Sequence, residues 1–524
     1  MLFSSYPFIF GFLPIALVLF YLASRFSGKA GMSVLTLMSL GFYTYWYPEQ
    51  LWILLFSIVF NYILGNWIQR DREHQRPGRV KLWLAIGLTV DIGMLAYFKY
   101  TMFAVENINA LAGTSWDVGH IILPLGISFF TFQKIAWLID SAWGVAKKTS
   151  FLEFSLFAAF FPQLIAGPIV HYKEVIPQFH HKLFGSLIWR NLMVGLVIFA
   201  IGLFKKVVIA DSIAGYLNPM YEIAAANHGA IDFRTGWLIA ISFTLQVYFD
   251  FSGYSDMAIG LARMFGILLP LNFHSPLRAA SIIDYWRRWH MTLQRFIVSY
   301  LFQPLSVPLN RFVANRNLED WAAFGIGIML PSFITFFILG VWHGAGWGFV
   351  AYGLLNAVYV SVNELWREHK KRQRKRARKL KLPPPADPGF SERAFYHVLT
   401  LTCVLVGNMF FRAVTLGDGL AIFSAMFGLN GFGHAAMFDE YAAPMLFALL
   451  VIAAAIVAFL PNTQQIMSRF RPAVNWATWR NEAPALVRWQ WKPNALGIIY
   501  IGFLLAVALV IIERGEAVFL YFNF

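Results

Sequence analysis

Phe324 to Trp366 reads FGIGIMLPSFITFFILGVWHGAGWGFVAYGLLNAVYVSVNELW. Two apolar segments, each long enough to cross a bilayer, meet there at Gly340-Val341-Trp342-His343-Gly344-Ala345-Gly346. Such a hairpin makes the fold a helical membrane fold, and it puts one imidazole at or near membrane depth, where a polar ring is costly without a partner or a task. The bland reading is a helix break in which His343 caps backbone carbonyls. The functional reading is a general base, since neutral imidazole can take a proton from a hydroxyl and return it to a leaving group. On that reading the flanking glycines let a substrate approach the backbone, and Trp342 is a candidate substrate contact.

The rest of the chain agrees with a membrane setting. Over 524 residues, 58% of side chains are hydrophobic and 13% charged, with a mean hydropathy of +0.58. Several apolar runs approach twenty residues, too long and too continuous for barrel strands, so the fold class is all-α: a polytopic transmembrane helical protein forming a single domain over 1–524. The N-terminal run lacks a basic region and a cleavage site and reads as a retained first helix. The single cysteine, Cys403, falls in an apolar run and reads as a buried structural thiol, with no disulfide and no metal cluster expected.

The net charge of +15 comes from loops between apolar segments, which reports topology and anionic-lipid contact and gives no case for nucleic acid. Basic loops mark the cytoplasmic side at Arg25/Lys29, at 69–81, at Lys147-Lys148, and most strongly at Arg367 to Lys379, the start of a basic loop and proline-rich linker over about 367–390. GTSWDVGH (113–120) and AVFLYFNF (517–524) are then outside, and His343 sits at the outer turn of its hairpin. Pieces near 151–166, 190–204, 233–249, 255–271 and 291–303 are short or interrupted. They are expected to be broken or re-entrant helices walling a central intramembrane chamber.

Three further stretches carry polar groups in apolar surroundings. Asp284-Tyr285-Trp286-Arg287-Arg288-Trp289-His290 fits an interfacial anchor in its arginines and tryptophans. His290, just before MTLQRFIVSYLF, is a candidate to share substrate binding or proton handling with His343. Along 246–260, Asp250, Tyr254 and Met257 share a helix face, and the carboxylates Asp250 and Asp256 are expected in a structural network, paired with Arg287 or Arg288, ahead of an acid/base pair. Phe161 to Ile169, FPQLIAGPI, has the grammar of a re-entrant loop. No Walker loop, dinucleotide fingerprint, HExxH or hydrolase elbow is present.

Ordered pieces along nearly the whole chain resemble the membrane-bound O-acyltransferase family, in its bacterial alginate O-acetylation and teichoic acid D-alanylation branch. They are FSSYPFIFGFLP (3–14), LAYFKY (95–100), LPLGISFFTFQKIAWLID (123–140), FPQLIAGPIVHYKEV (161–175), YFDFSGYSDMAIGLARMFGI (248–267), DYWRRWHMTL (284–293), GVWHGAGW (340–347), MFFRAVTLGDG (409–419) and LYFNF (520–524). The resemblance implies that His343 is essential and that His290 lies in the same reaction chamber. Two departures stand out: PLSVPLNRF replaces a Gly-Gly-Asn-Arg turn, and Tyr352-Gly353-Leu354-Leu355-Asn356 lacks a second histidine after the Trp-Gly pair.

The expectation is a multi-pass O-acyltransferase of the bacterial inner membrane, moving an acyl group, acetyl first, from a cytoplasmic donor to hydroxyls of an exported polysaccharide, directly or through a periplasmic acyltransferase partner. Acetyl-CoA or a related acyl donor enters as substrate, and no bound cofactor or metal is expected. His343 and His290 are the catalytic candidates, with Trp342, Asp250, Tyr254, Asn356 and Arg288 in substrate contact. The competing class is a transporter or scaffold using His343 and His290 as a proton relay.

Overall fold

The computed structural model describes residues 1–226, 231–383, 386–432 and 442–512, and among them every regular element is helical. The expected outer tail 517–524 lies outside the described residues. Among the described residues seven helices are long and apolar enough to cross a bilayer: Pro7–Phe26, Pro48–Glu73, Pro77–Ala112, Trp189–Glu222, Asp320–His343, Phe390–Arg412 and Ala495–Ile512. Two others, Ile127–Trp143 and Phe233–Met264, carry more polar residues and are almost wholly buried by protein. Polar groups survive at membrane depth only where other protein covers and pairs them, so the polar helices lie in the interior, joined there by the apolar span Trp189–Glu222, and the other apolar spans are more exposed.

Three pieces expected to be interrupted fall in two continuous helices. The 233–249 and 255–271 runs join in the 32-residue helix Phe233–Met264, and 190–204 extends through the span Trp189–Glu222. The polar and small residues that suggest breaks are the contact between these two helices. Asp250 pairs with Lys206 at 2.8 Å and Asp256 with Lys205 at 2.9 Å, so the expected pairing with Arg287 or Arg288 is not made. A Cβ on Gly202 would lie 2.6 Å from the Gly253 carbonyl oxygen, so the backbones touch where side chains are absent. The chain is broken elsewhere: Phe151–Ala159, Phe161–Leu164, Tyr172–Phe179 and Ile282–Arg288 are short helices joined by buried irregular backbone.

Three smaller expectations change. The basic run 367–379 belongs to the helix Trp347–Lys379, whose 33 residues span about 50 Å, so it continues past the bilayer as helix before the linker begins. Trp286 and Trp289, read as interfacial anchors, are 7% and 6% exposed and packed inside the protein. Cys403 is half-buried.

Candidate active site

The Asp320–His343 and Trp347–Lys379 helices form the predicted hairpin. Their far ends are tied by Arg372 and Asp320 at 2.6 Å, which puts His343 about 35 Å from the basic end, one membrane thickness away. The glycines at the turn make this hairpin close. A Cβ on Gly340 would lie 2.3 Å from the Gly353 Cα, and one on Gly344 would lie 2.1 Å from the Phe349 ring. These two are therefore needed for helix contact, and the space beside them is filled by protein instead of being left for a substrate.

His343 is 4% exposed, and aromatic rings form its walls: Trp342 at 4.8 Å, Tyr352 at 5.8 Å and Phe411 at 5.1 Å between centroids. The carbonyls that end its helix have no intrahelical donor. The Lys99 ammonium donates to the Trp342 carbonyl at 2.5 Å and to the His343 carbonyl at 3.0 Å, while the Tyr100 hydroxyl donates to the Val341 carbonyl at 2.8 Å. On the other side of the turn the Trp347 indole N–H donates to Asn107 at 3.0 Å. One helix, Pro77–Ala112, thus clamps both arms of the turn. A cation on a helix C-terminus is favoured by the backbone dipole.

His290 is held differently. Its backbone is left-handed, φ 43°, an uncommon conformation for a residue with a Cβ. Asn272 holds that bend: its carbonyl accepts the Met291 N–H at 2.9 Å, its amide donates to Ser255 at 3.0 Å, and its Oδ1 faces His290 Nδ1 at 3.0 Å. Because Oδ1 can only accept, Nδ1 carries the proton and Nε2 keeps its lone pair. That Nε2 is buried without a partner among the described residues. Phe251 meets the ring edge-on at 4.7 Å.

Ile127–Trp143 brings the two histidines to one place. Phe129 lies 6.3 Å from the His290 ring and Phe132 stacks 5.0 Å from Trp342, residues one turn apart on one helix face. A cavity of about 190 Å³ ends at His290. Its walls include Ser332, Thr335, Phe336 and Leu339 on one hairpin arm and Val360 and Glu364 on the other, so it descends toward the basic end.

The remaining candidates are distributed. Asn356 donates to the Tyr352 carbonyl at 2.9 Å, one turn from the residue whose ring edges onto His343. Asp250 is engaged with Lys206, although its neighbour Phe251 reaches His290. Tyr254 stacks on Phe3 at 5.0 Å and bonds the Ala166 backbone, tying the N-terminus to the 161–170 loop. Arg288 pairs with Asp284 at 2.9 Å and approaches Glu482 at 3.7 Å. Lys99 and Asn272 were not singled out from sequence. The signal for Lys99 was a lysine inside the apolar LAYFKY run; nothing local marks Asn272.

Outside the spans, His274 helps dock the 461–494 segment. Its Nε2 lies 2.9 Å from the Glu482 carbonyl and its Nδ1 is 3.3 Å from the Asn462 amide. Burial pushes its pKa down to about 4, so it is neutral at pH 7, donating at Nε2 and accepting at Nδ1.

The fold and site define a multi-pass helical membrane protein in which one buried helix reaches toward two buried imidazoles, one of them lining a cavity. The family model for membrane-bound O-acyltransferases matches residues 113–384. Similar proteins include a peptidoglycan O-acetyltransferase of Helicobacter pylori, 33% identical over 100% of this chain and 98% of that protein. A probable alginate O-acetylase AlgI of Pseudomonas aeruginosa is 33% identical over 88% of this chain and 81% of its own length. A teichoic acid D-alanyltransferase of Streptococcus thermophilus is 27% identical over 72% and 87%. The chain belongs to the membrane-bound O-acyltransferase family and is an O-acyltransferase.

Proposed function

We propose that the protein transfers an acyl group, acetyl first, from a cytoplasmic thioester donor such as acetyl-CoA to hydroxyls of an exported polysaccharide, directly or through an extracytoplasmic acyltransferase partner. The membrane is the inner membrane of a bacterium, as the bacterial relatives and their envelope-polymer names suggest. The observation that carries this reading is the cavity: it runs from the side of the basic run to His290, while His343 lies at the opposite end of its hairpin. A donor from one side and an acceptor from the other would meet at the two rings, and the charged remainder of the donor would never cross.

In this scheme His343 takes the proton of the acceptor hydroxyl as its oxygen attacks the thioester carbonyl. The C–O bond forms, the C–S bond breaks, and the proton passes to the departing thiolate. His290, with a free Nε2 at the cavity's end, supports donor binding or that proton return. Trp342 and Asn356 line the acceptor side in this reading.

Purified protein in nanodiscs, given radiolabelled acetyl-CoA and a panel of alginate, peptidoglycan fragments and other envelope polymers, tests the proposal. Label should move to a polymer or partner and should not move in His343→Ala. Passage of donor across the bilayer without transfer would replace the enzyme reading with a carrier.

A further inference from the structure

The 461–497 segment forms a second hollow, of about 900 Å³ and open to solvent, with Arg469, Arg480, Arg488 and Lys492 exposed along it. It lies on the side of the basic run, because the chain leaves that side through Phe390–Arg412 and returns through Ala442–Phe459. Arg469, Arg480, Arg488 and Lys492 line it, and no carboxylate does. Along 367–379 five of the nine cations have a carboxylate partner, Arg367 with Glu364, Lys370 with Glu392, Lys371 with Glu368, Arg372 with Asp320 and Glu368, and Arg374 with Asp387. The four around the hollow have no carboxylate within 4 Å among the described residues; Arg469 donates to the neutral Gln490 at 2.9 Å.

The hollow also adjoins the site. Trp476 forms part of its wall and packs against Met291, the residue after His290. The short helix Ile282–Arg288 touches both the His290 cavity and the segment that forms the hollow. Its Trp286 lines the cavity, and its Arg287 pairs at 2.8 Å with Glu482, two residues from Arg480. A volume of this size suits a small-molecule ligand, clustered arginines suit phosphate oxygens, and Trp489 in the wall offers a face to a planar base.

We infer that this hollow holds the phosphate-bearing end of the acyl donor, a nucleotide-type ligand with several phosphate charges whose thioester arm crosses the Ile282–Arg288 helix into the His290 cavity. This rests on the acyl-transfer reading. The shared chemistry, clustered phosphates, also occurs in the headgroup of cardiolipin, and the test separates the two sources.

His343→Ala protein in phosphatidylcholine nanodiscs is titrated with CoA and with pantetheine, which lacks the phosphates. The expected result is salt-sensitive CoA binding, none by pantetheine, a loss of about tenfold or more in Arg480→Glu/Arg488→Glu, and recovery of most of it in Arg480→Lys/Arg488→Lys. Equal CoA affinity in the native and the glutamate proteins, at unchanged thermal midpoints, overturns the inference. So does occupancy only in cardiolipin nanodiscs with no CoA binding, which assigns the hollow to lipid. Because binding is scored in a protein with the proposed base removed, failure here is distinct from failure of transfer, which the native protein reports separately.

Discussion

Removing the Lys99 ammonium should disable the His343 turn without unfolding the protein. Lys99→Met keeps the length of the side chain and deletes both hydrogen bonds to the Trp342 and His343 carbonyls. Each charge-assisted bond contributes ~1.5–3 kcal/mol, and a buried carbonyl left unpaired costs a similar amount, enough to let the last turn of the helix shift. A displacement of about 1 Å at a reacting group lowers the rate roughly 100-fold, equivalent to ~2.7 kcal/mol of transition-state stabilisation. Steady-state acetyl transfer should therefore show kcat reduced by about two orders of magnitude, with the donor KM within about threefold of native. Lys99→Arg, which keeps the charge, should recover part of the loss. A Lys99→Met protein with more than about a third of native kcat would refute the clamp, because the positioning cost worked out above is far larger than that.

Other outcomes follow from the same geometry. Gly340→Val places side-chain atoms where the Gly353 backbone already lies, and should lower the thermal midpoint in detergent far more than Gly325→Ala, whose Cβ meets nothing within 4 Å. Asp256→Asn strands Lys205 and weakens the bonds from Thr463 and Gln464, a loss of about 3–5 kcal/mol that limited proteolysis of the 461–494 segment should register. The same segment should loosen in acid. His274 has a folded pKa of about 4 below its ordinary 6.5, so the undocked form binds the proton more readily; docking is fully present above about pH 6.5 and is lost as pH falls toward 4. Trp479, 5.4 Å from that ring, reports it by fluorescence, and His274→Gln should flatten the profile. Asn272→Ala removes the acceptor at Nδ1 and releases the left-handed bend at His290, and transfer should fall at least about tenfold.

How much of this was legible in the residues follows their range of action. Hydropathy is additive along the chain, so the all-helical membrane class, the hairpin around His343 and the side bearing Arg367 to Lys379 could be read directly. His290 and His343 stand out because a bilayer makes a polar ring conspicuous in any apolar run. Local grammar misleads where two helices meet, since Asp250, Gly253 and Asp256 look like a break until Lys205, Lys206 and Gly202 are set opposite them.

Sequence by itself determined that this chain crosses a membrane as helices and carries two imidazoles beside apolar runs. Only tertiary structure decided that Lys99, some 244 positions away, holds His343, that Asn272 leaves His290 a free lone pair, and that a cavity reaches that ring. Burial costs act on each residue wherever it falls, whereas a clamp, a tautomer and a passage each need groups from distant segments to converge at a few ångströms.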